Sequence, residues 1–285
     1  MANTVGLTVF AQLDADPAGA AYFPRAAGWA VPVVDYAYSA VLVLSLLSQS
    51  ALSLKDHINR TKALPCDALR PPRTHDGILL QSDQLTQEEF REIVALATQW
   101  HLPVRIVNGD AYELNSSFPF ICNLGVSSEQ GWSRLLLSLA VTAILPGIPY
   151  LYLPMLANHQ PETTHERQDG DPRSLNRTRL SFEFLQASLQ GASGRELRKV
   201  LTDMATMQSH VSNSAINATT TGGPSGDSAL LVHNHESRWT FVCNLSTADT
   251  VTILTPANSK LICSRNAKGN CVSPLGYGFW IEDDQ

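Results

Sequence analysis

Apolar positions along the chain follow two rhythms. Up to about residue 212, short β-rich runs alternate with longer helical stretches, and beyond it the runs are all short and strand-like. GLTVFAQ (6–12) reads as a strand, and the Ala, Asp, Pro and Gly stretch after it as a loop. VPVVDYAY (31–38) reads as a second strand, with Pro32 at odds with its start. SAVLVLSLLSQ then predicts an apolar helix, LKDHINRTKA an amphipathic one, and ALRPPRTHD a third strand. The clearest helix is LTQEEFREIVALATQWH (85–101): Thr86 caps it, Glu89 follows three residues on, and Phe90, Ile93, Val94 and Ala97 share one face. LPVRIVNGDAYELNSSF predicts a strand and loop, SSEQGWSRLLLSLAVTAIL a buried helix, and IPYLYL a fourth strand. From Arg173 to His210 the pattern is polar and helical, with Phe182, Phe184, Leu185 and Leu189 facing inward. NATTTGGPSGDS reads as a flexible linker or loop. ALLVHN, WTFVCNLS, TVTIL, KLICS and YGFWIED follow as strands of a small antiparallel sheet or sandwich.

Strand–helix alternation followed by an all-β tail predicts an α/β fold, a parallel core with a β domain appended. The chain has 285 residues, enough for one large domain and a small one. In such a barrel-like core, chemistry sits at the C-terminal ends of the strands. His75 and Asp76, in RPPRTHDGILL, fall at such an end, although Asp-Gly is also a common turn pair.

Composition narrows the function classes. A 44% hydrophobic and 16% charged chain can bury a sizeable core, and at net charge −6 its lysines and arginines are scattered singly. The absence of a basic stripe argues against a nucleic-acid partner. Five cysteines (Cys66, Cys122, Cys243, Cys263 and Cys271) lack CxxC spacing and read as thiols in a reducing compartment, with no metal site. MANTVGLTVFAQLDADP has no basic leader region, so a cytoplasmic location is expected. The apolar stretch from Leu135 to Leu156 is divided by Pro146, Gly147, Pro149 and Pro154, which argues against a membrane span.

Four stretches, THDGILL, AYELNSSF, LPGIPYLYLPMLANHQ and GDPRSLNRTRL, occur in an order and spacing that resemble the C-terminal half of the sucrose phosphorylase group of glycoside hydrolase family 13, the α-amylase family. The resemblance runs from about Thr8 to the end. It implies a partial (β/α)8 barrel, roughly strands five to eight, over residues 1–212, with an inserted loop region at about 77–125. A small all-β domain would occupy residues 213–285. It also implies transfer of a glucosyl group from an α-glucoside to inorganic phosphate as co-substrate, with no bound cofactor. Asp76 would stabilise the oxocarbenium-like transition state, where a fixed anion in a dry pocket acts strongly. By the same resemblance His75 would donate to the glucose ring and Arg177 would reach its 3- and 4-hydroxyls. Tyr112 and Glu113 would lie in a mobile loop that shapes the acceptor or phosphate site. The residues alone also allow Arg177 as a helix N-terminal surface charge and Glu113 as a solvated loop residue.

Retaining enzymes of this kind use two further carboxylates, a nucleophile and an acid/base. No segment resembles the nucleophile-bearing stretch, and the resemblance has the chain begin at about the fifth barrel strand. Matching AYF (21–23) to the family's SYF puts Ala11 at the acid/base position. Asp14, Asp16 and Asp35 are the nearby carboxylates, and the sequence leaves their roles open. The expectation is a truncated phosphorylase-like chain, inactive by itself and prone to self-association or in want of an N-terminal half. The alternative is a non-catalytic sugar-binding or interaction remnant of the same family.

Overall fold

Asp35 ends a strand segment and begins a helix. In the computed structural model, which describes residues 34–61, 68–80, 85–107, 111–159, 172–177, 179–211, 216–224, 226–254 and 258–283, Val34 bridges Leu69 in parallel. The Asp35 carboxylate accepts the Tyr38 amide at 3.2 Å, and helix α1 runs Tyr36–Ser48. The expected strand over 31–38 is therefore helical from Tyr36, because the capping carboxylate satisfies an amide that a helix start leaves unpaired. Residues 31–33 lie outside the described residues, as do the expected strand at 6–12 and Cys66.

Helix α2 (Leu52–Thr61) and strand β1 (Leu69–Arg70) follow. The chain then makes a small antiparallel sheet in the order β2-β4-β3, from β2 (Ile78–Leu80), β3 (Val104–Val107) and β4 (Ala111–Leu114). Helix α3 (Gln87–Gln99) lies between β2 and β3 and starts with the expected capping box: the Thr86 hydroxyl accepts the Glu89 amide, and the Glu89 carboxylate accepts the Thr86 amide. After α4 (Phe118–Cys122), helix α5 (Ser128–Ala143) buries twelve of its residues, so the apolar run ends inside the protein. Among the described residues no helix is long and apolar enough to cross a membrane.

Strand β5 (Ile148–Pro149) pairs in parallel with β1. Gly147 makes that approach possible: its φ is 128°, and a Cβ there would meet the Ala68 carbonyl oxygen at 2.4 Å. The expected strand IPYLYL is shorter than its pattern, because the chain turns at Tyr152 into a one-turn helix, α6 (Leu153–Leu156), with Pro154 in its first turn. A 3-10 turn (Pro172–Leu175), helix α7 (Phe182–Gln190) and helix α8 (Ala192–His210) complete the helical part. Helix α7 keeps only part of its expected inward face: Leu189 packs against the core, and Leu185 is half-buried, but Phe182 and Phe184 are exposed. None of its residues is buried, with Phe182 73% and Phe184 40% exposed, because α7 forms an outer layer whose neighbour is α8.

The C-terminal strands are β6 (Ile216–Thr221), β7 (Ala229–Asn234), β8 (Trp239–Asn244), β9 (Val251–Thr252), β10 (Ser259–Lys268) and β11 (Cys271–Glu282). They form one antiparallel sheet in the order β10-β11-β8-β7-β6, with β9 on β11. The stretch expected as a linker supplies β6, which pairs with β7 along its whole length. Its β-branched threonines suit a pleated, half-buried strand. The fold is thus α/β: among the described residues a parallel β1–β5 pair, extended by the Val34–Leu69 bridge, lies among the helices and is followed by an antiparallel β domain.

One core joins the two parts. It runs from Tyr38 and Leu42 on α1 through Leu135 and Leu139 on α5 and Met204 on α8 to Trp239, Phe241 and Phe279 in the sheet. Each such side chain contributes about 1.5–3 kcal/mol on burial. Polar contacts reinforce the join. The Asn59 amide on α2 pairs with both backbone groups of Ala218 on edge strand β6, at 2.9 and 3.2 Å. The Gln49 side chain accepts from Thr247 at 2.9 Å. Cys122, Cys243 and Cys263 are buried free thiols and Cys271 is an exposed one.

Candidate functional site

Three segments meet beyond the C-terminal ends of β1 and β5: the loop 71–77, strand β4, and the turn that starts at Pro172. Prolines 71 and 72 carry the chain away from β1, and Gly77 returns it to β2. Strand β4 lies opposite β2, with Glu113 facing Leu79 in register.

The structure brings His75, Asp76 and Arg177 together. Arg177 Nη2 donates to Asp76 Oδ1 at 2.6 Å, and His75 Nε2 lies 3.4 Å from Asp76 Oδ2. All three side chains are partly open to solvent. Burial pushes the Asp76 carboxyl up, but the Arg177 hydrogen bond and the charges of His75, Arg177 and Arg173 outweigh it and hold Asp76 below the usual carboxylate range.

Glu113 sits under this trio and is only 2% exposed. Its Oε1 accepts the Gly77 amide at 2.8 Å, and Arg173 grips both oxygens through Nε (2.8 and 3.1 Å) and Nη2 (2.9 Å). Tyr112, the preceding residue, points to the opposite face of the strand, as alternation requires. Its ring packs edge-on against Phe90 with centroids 5.4 Å apart, away from Asp76.

A second layer supports these loops. Asn115 Nδ2 donates to the Glu113 carbonyl at 3.1 Å, Asn176 Nδ2 donates to Asn115 Oδ1 at 2.8 Å, and Tyr152 donates to the Asn176 carbonyl at 2.8 Å. Arg73, buried beneath, donates to the Ser116 carbonyl at 3.0 Å. Burial lowers its pKa to about 10, opposed by Glu113, Tyr152 and Asp76, so it stays charged at neutral pH. Arg73, Tyr152, His159 and Asn176 line a cavity of about 10 Å³, room for one water-sized group. Sequence reasoning missed Arg173, although it stands four residues before Arg177 in a quoted motif. It also missed Arg73, which carries no signal distinguishing it from a surface arginine.

Of the carboxylates whose roles the sequence left open, Asp14 and Asp16 lie outside the described residues. Asp35 is 5% exposed and fully engaged. Its Oδ1 accepts the Tyr38 amide, and its Oδ2 meets both Arg70 Nη1 and His57 Nε2, the latter at 2.9 Å. Arg70 Nε also donates to the Pro146 carbonyl at 3.1 Å. Burial, aided by the Arg60 charge, lowers the His57 pKa to about 3, so His57 is a neutral donor to Asp35.

No protein-family model matches the sequence, and no curated protein sequence matches it. Solved structures do match the fold. Sucrose 6F-phosphate phosphorylase from Thermoanaerobacter thermosaccharolyticum superposes with a TM-score of 0.67 at 15% identity, over 86% of this chain and 49% of that one. The α-amylase from H. orenii gives 0.60 at 10% identity, over 99% and 55%. A variant of AmyP in complex with maltotriose gives 0.60 at 13%, over 95% and 55%. The chain therefore has the fold of these carbohydrate-active enzymes and spans about half the length of each.

Proposed function

We propose that the chain is a member of glycoside hydrolase family 13 of the sucrose phosphorylase type, acting on an α-glucoside with inorganic phosphate as co-substrate. Asp76, His75 and Arg177 contact the glucose ring, and Asp76 stabilises the positive charge that develops there. The observation that carries this reading is the meeting of Asp76 with Arg177 just beyond the parallel strand ends. Arg73, Arg173 and Arg177 outnumber Asp76 and Glu113 by one charge, which supports an anionic co-substrate.

A non-catalytic sugar-binding role for these 285 residues is the second reading, and the engagement of the carboxylates favours it. Glu113 is held by Arg173, and Asp35 by Arg70 and His57, so neither is free to attack a sugar. In the phosphorylase reading the chemical carboxylates lie outside the described residues. Ile148, Tyr150 and Leu153, exposed along β5 and the residues after it, support docking of a second copy of this chain.

The test is a glucoside titration of the full chain followed by NMR. Binding in the millimolar range, about −4 kcal/mol, is expected. Asp76→Ala should abolish it, and an unchanged titration by that variant would return THDG to a simple turn.

A further inference from the structure

Glu113 stands where the two sugar-facing loops cross. The amide it accepts belongs to Gly77, the residue directly after Asp76. The guanidinium it grips belongs to Arg173, whose carbonyl accepts the Arg177 amide at 3.2 Å in the turn that ends at Arg177. One buried carboxylate thus joins the backbone behind Asp76 to the backbone behind Arg177. Contact with Gly77 is so close that a Cβ there would sit 2.1 Å from Glu113 Cγ. Both Glu113 oxygens are engaged inside the protein, and the bidentate fork with Arg173 fixes orientation as well as distance.

We propose that Glu113 is a positioning residue that holds Asp76 and Arg177 at hydrogen-bonding distance, and that it touches neither sugar nor phosphate. The inference rests on the reading of Asp76 and Arg177 as sugar contacts. Its physical basis is that a misplacement of about 1 Å in such a pair can cost about 100-fold in function. Asp76 is faced by His75 and Arg177 directly, and by the charges of Arg173 and the buried Arg73 from the adjoining turn and loop. Loosening the clamp lets Arg177 leave, and the Asp76 carboxyl then returns toward its ordinary range.

The experiment uses two variants of the full chain, Glu113→Gln and Arg173→Gln, and two readouts: the titration of the Asp76 carboxyl carbon by NMR and the dissociation constant for methyl α-glucoside. Glu113→Gln keeps an oxygen for the Gly77 amide and loses the second anionic oxygen. Both variants should weaken binding by about tenfold and raise the Asp76 midpoint. The rise in Glu113→Gln is the decisive one, because loss of a neighbouring negative charge alone would lower it, whereas Arg173→Gln also removes a charge that holds Asp76 down. Unchanged amide signals in β6 to β11 are the check on folding. Unchanged midpoint and affinity in both variants overturns the proposal. Weaker binding by Glu113→Gln alone, with an unmoved Asp76 midpoint, also overturns it, because Glu113 would then meet the sugar itself. If the unmodified chain binds no glucoside yet Glu113→Gln raises the Asp76 midpoint, the clamp stands and the sugar reading fails. A lowered midpoint in Glu113→Gln overturns the clamp.

Discussion

Arg177 reaches across 101 residues of sequence to hold Asp76 at 2.6 Å. The pair joins the loop after β1 to the loop after β5, so it reports whether the two strand ends are correctly assembled. It also gives the site a definite acid response. Asp76 titrates below the ordinary carboxylate value of about 3.9 when folded. Its stabilising contribution is therefore fully present above the unfolded value and is lost as pH falls through the lower folded value.

The first prediction follows from that sign. The urea midpoint of the unmodified chain should fall between about pH 5 and pH 2 more steeply than that of Asp76→Asn. The difference should be at most about 1 kcal/mol, because both side chains are partly solvated. Parallel pH dependences in the two proteins would show that the pair is not formed in solution.

Asp35 should behave very differently. It is buried against Arg70 and His57, and removing it strands a buried guanidinium. Asp35→Ala should cost about 3–5 kcal/mol in urea unfolding. A loss below about 1 kcal/mol, the scale of an exposed pair, would mean that Arg70 reaches water or another partner.

Gly77→Ala tests the close approach to Glu113. The added methyl cannot fit without moving the buried carboxylate. A loss of about 1–3 kcal/mol is expected, as for other overpacked sites, together with weaker glucoside binding. Calorimetry and the NMR titration check the two parts separately.

The shared core predicts one unfolding transition. Phe241, fully buried, belongs to the same cluster as Leu42 and Leu139. Helix circular dichroism and tryptophan fluorescence should lose their signals together. Phe241→Ala should shift both by about 3–5 kcal/mol. Two separated transitions would assign residues 213–285 an independent core.

For catalysis, the 285-residue chain alone should release no glucose 1-phosphate from sucrose. Loss of acid/base participation typically removes about 10²–10⁴-fold, and loss of a nucleophile removes the covalent route. Turnover only when the N-terminal half of a related phosphorylase is co-expressed would support the phosphorylase reading. Turnover by the chain alone would assign a catalytic role to a carboxylate outside the described residues.

What could be read from the sequence was local. The Thr86–Glu89 capping box, the face formed by Ile93 and Ala97, and the buried α5 each depend on residues three or four apart, where spacing alone decides who meets whom. The short β-rich runs after residue 229 were equally legible, because β-branched and aromatic residues bounded by turn signals suit strands wherever they pair. The motif resemblance singled out His75, Asp76 and Arg177, which the fold brings together.

Tertiary structure decided the rest. VPVVDYAY has a strand's composition, yet Asp35 caps a helix at Tyr36 because Arg70 and His57, from β1 and α2, hold its carboxylate there. Phe182 and Phe184 have helical spacing, but spacing cannot say how far another element covers them: Phe184 meets the His159 ring edge-on at 5.1 Å and is still 40% exposed, and Phe182 is 73% exposed. Glu113 could equally have been a solvated loop carboxylate. It is buried because Arg173, 60 residues away, comes to lie against it. Periodicity sets which side of an element is apolar, whereas the pairing of distant charges depends on the path of the whole chain and on how much water is left between them once it has closed.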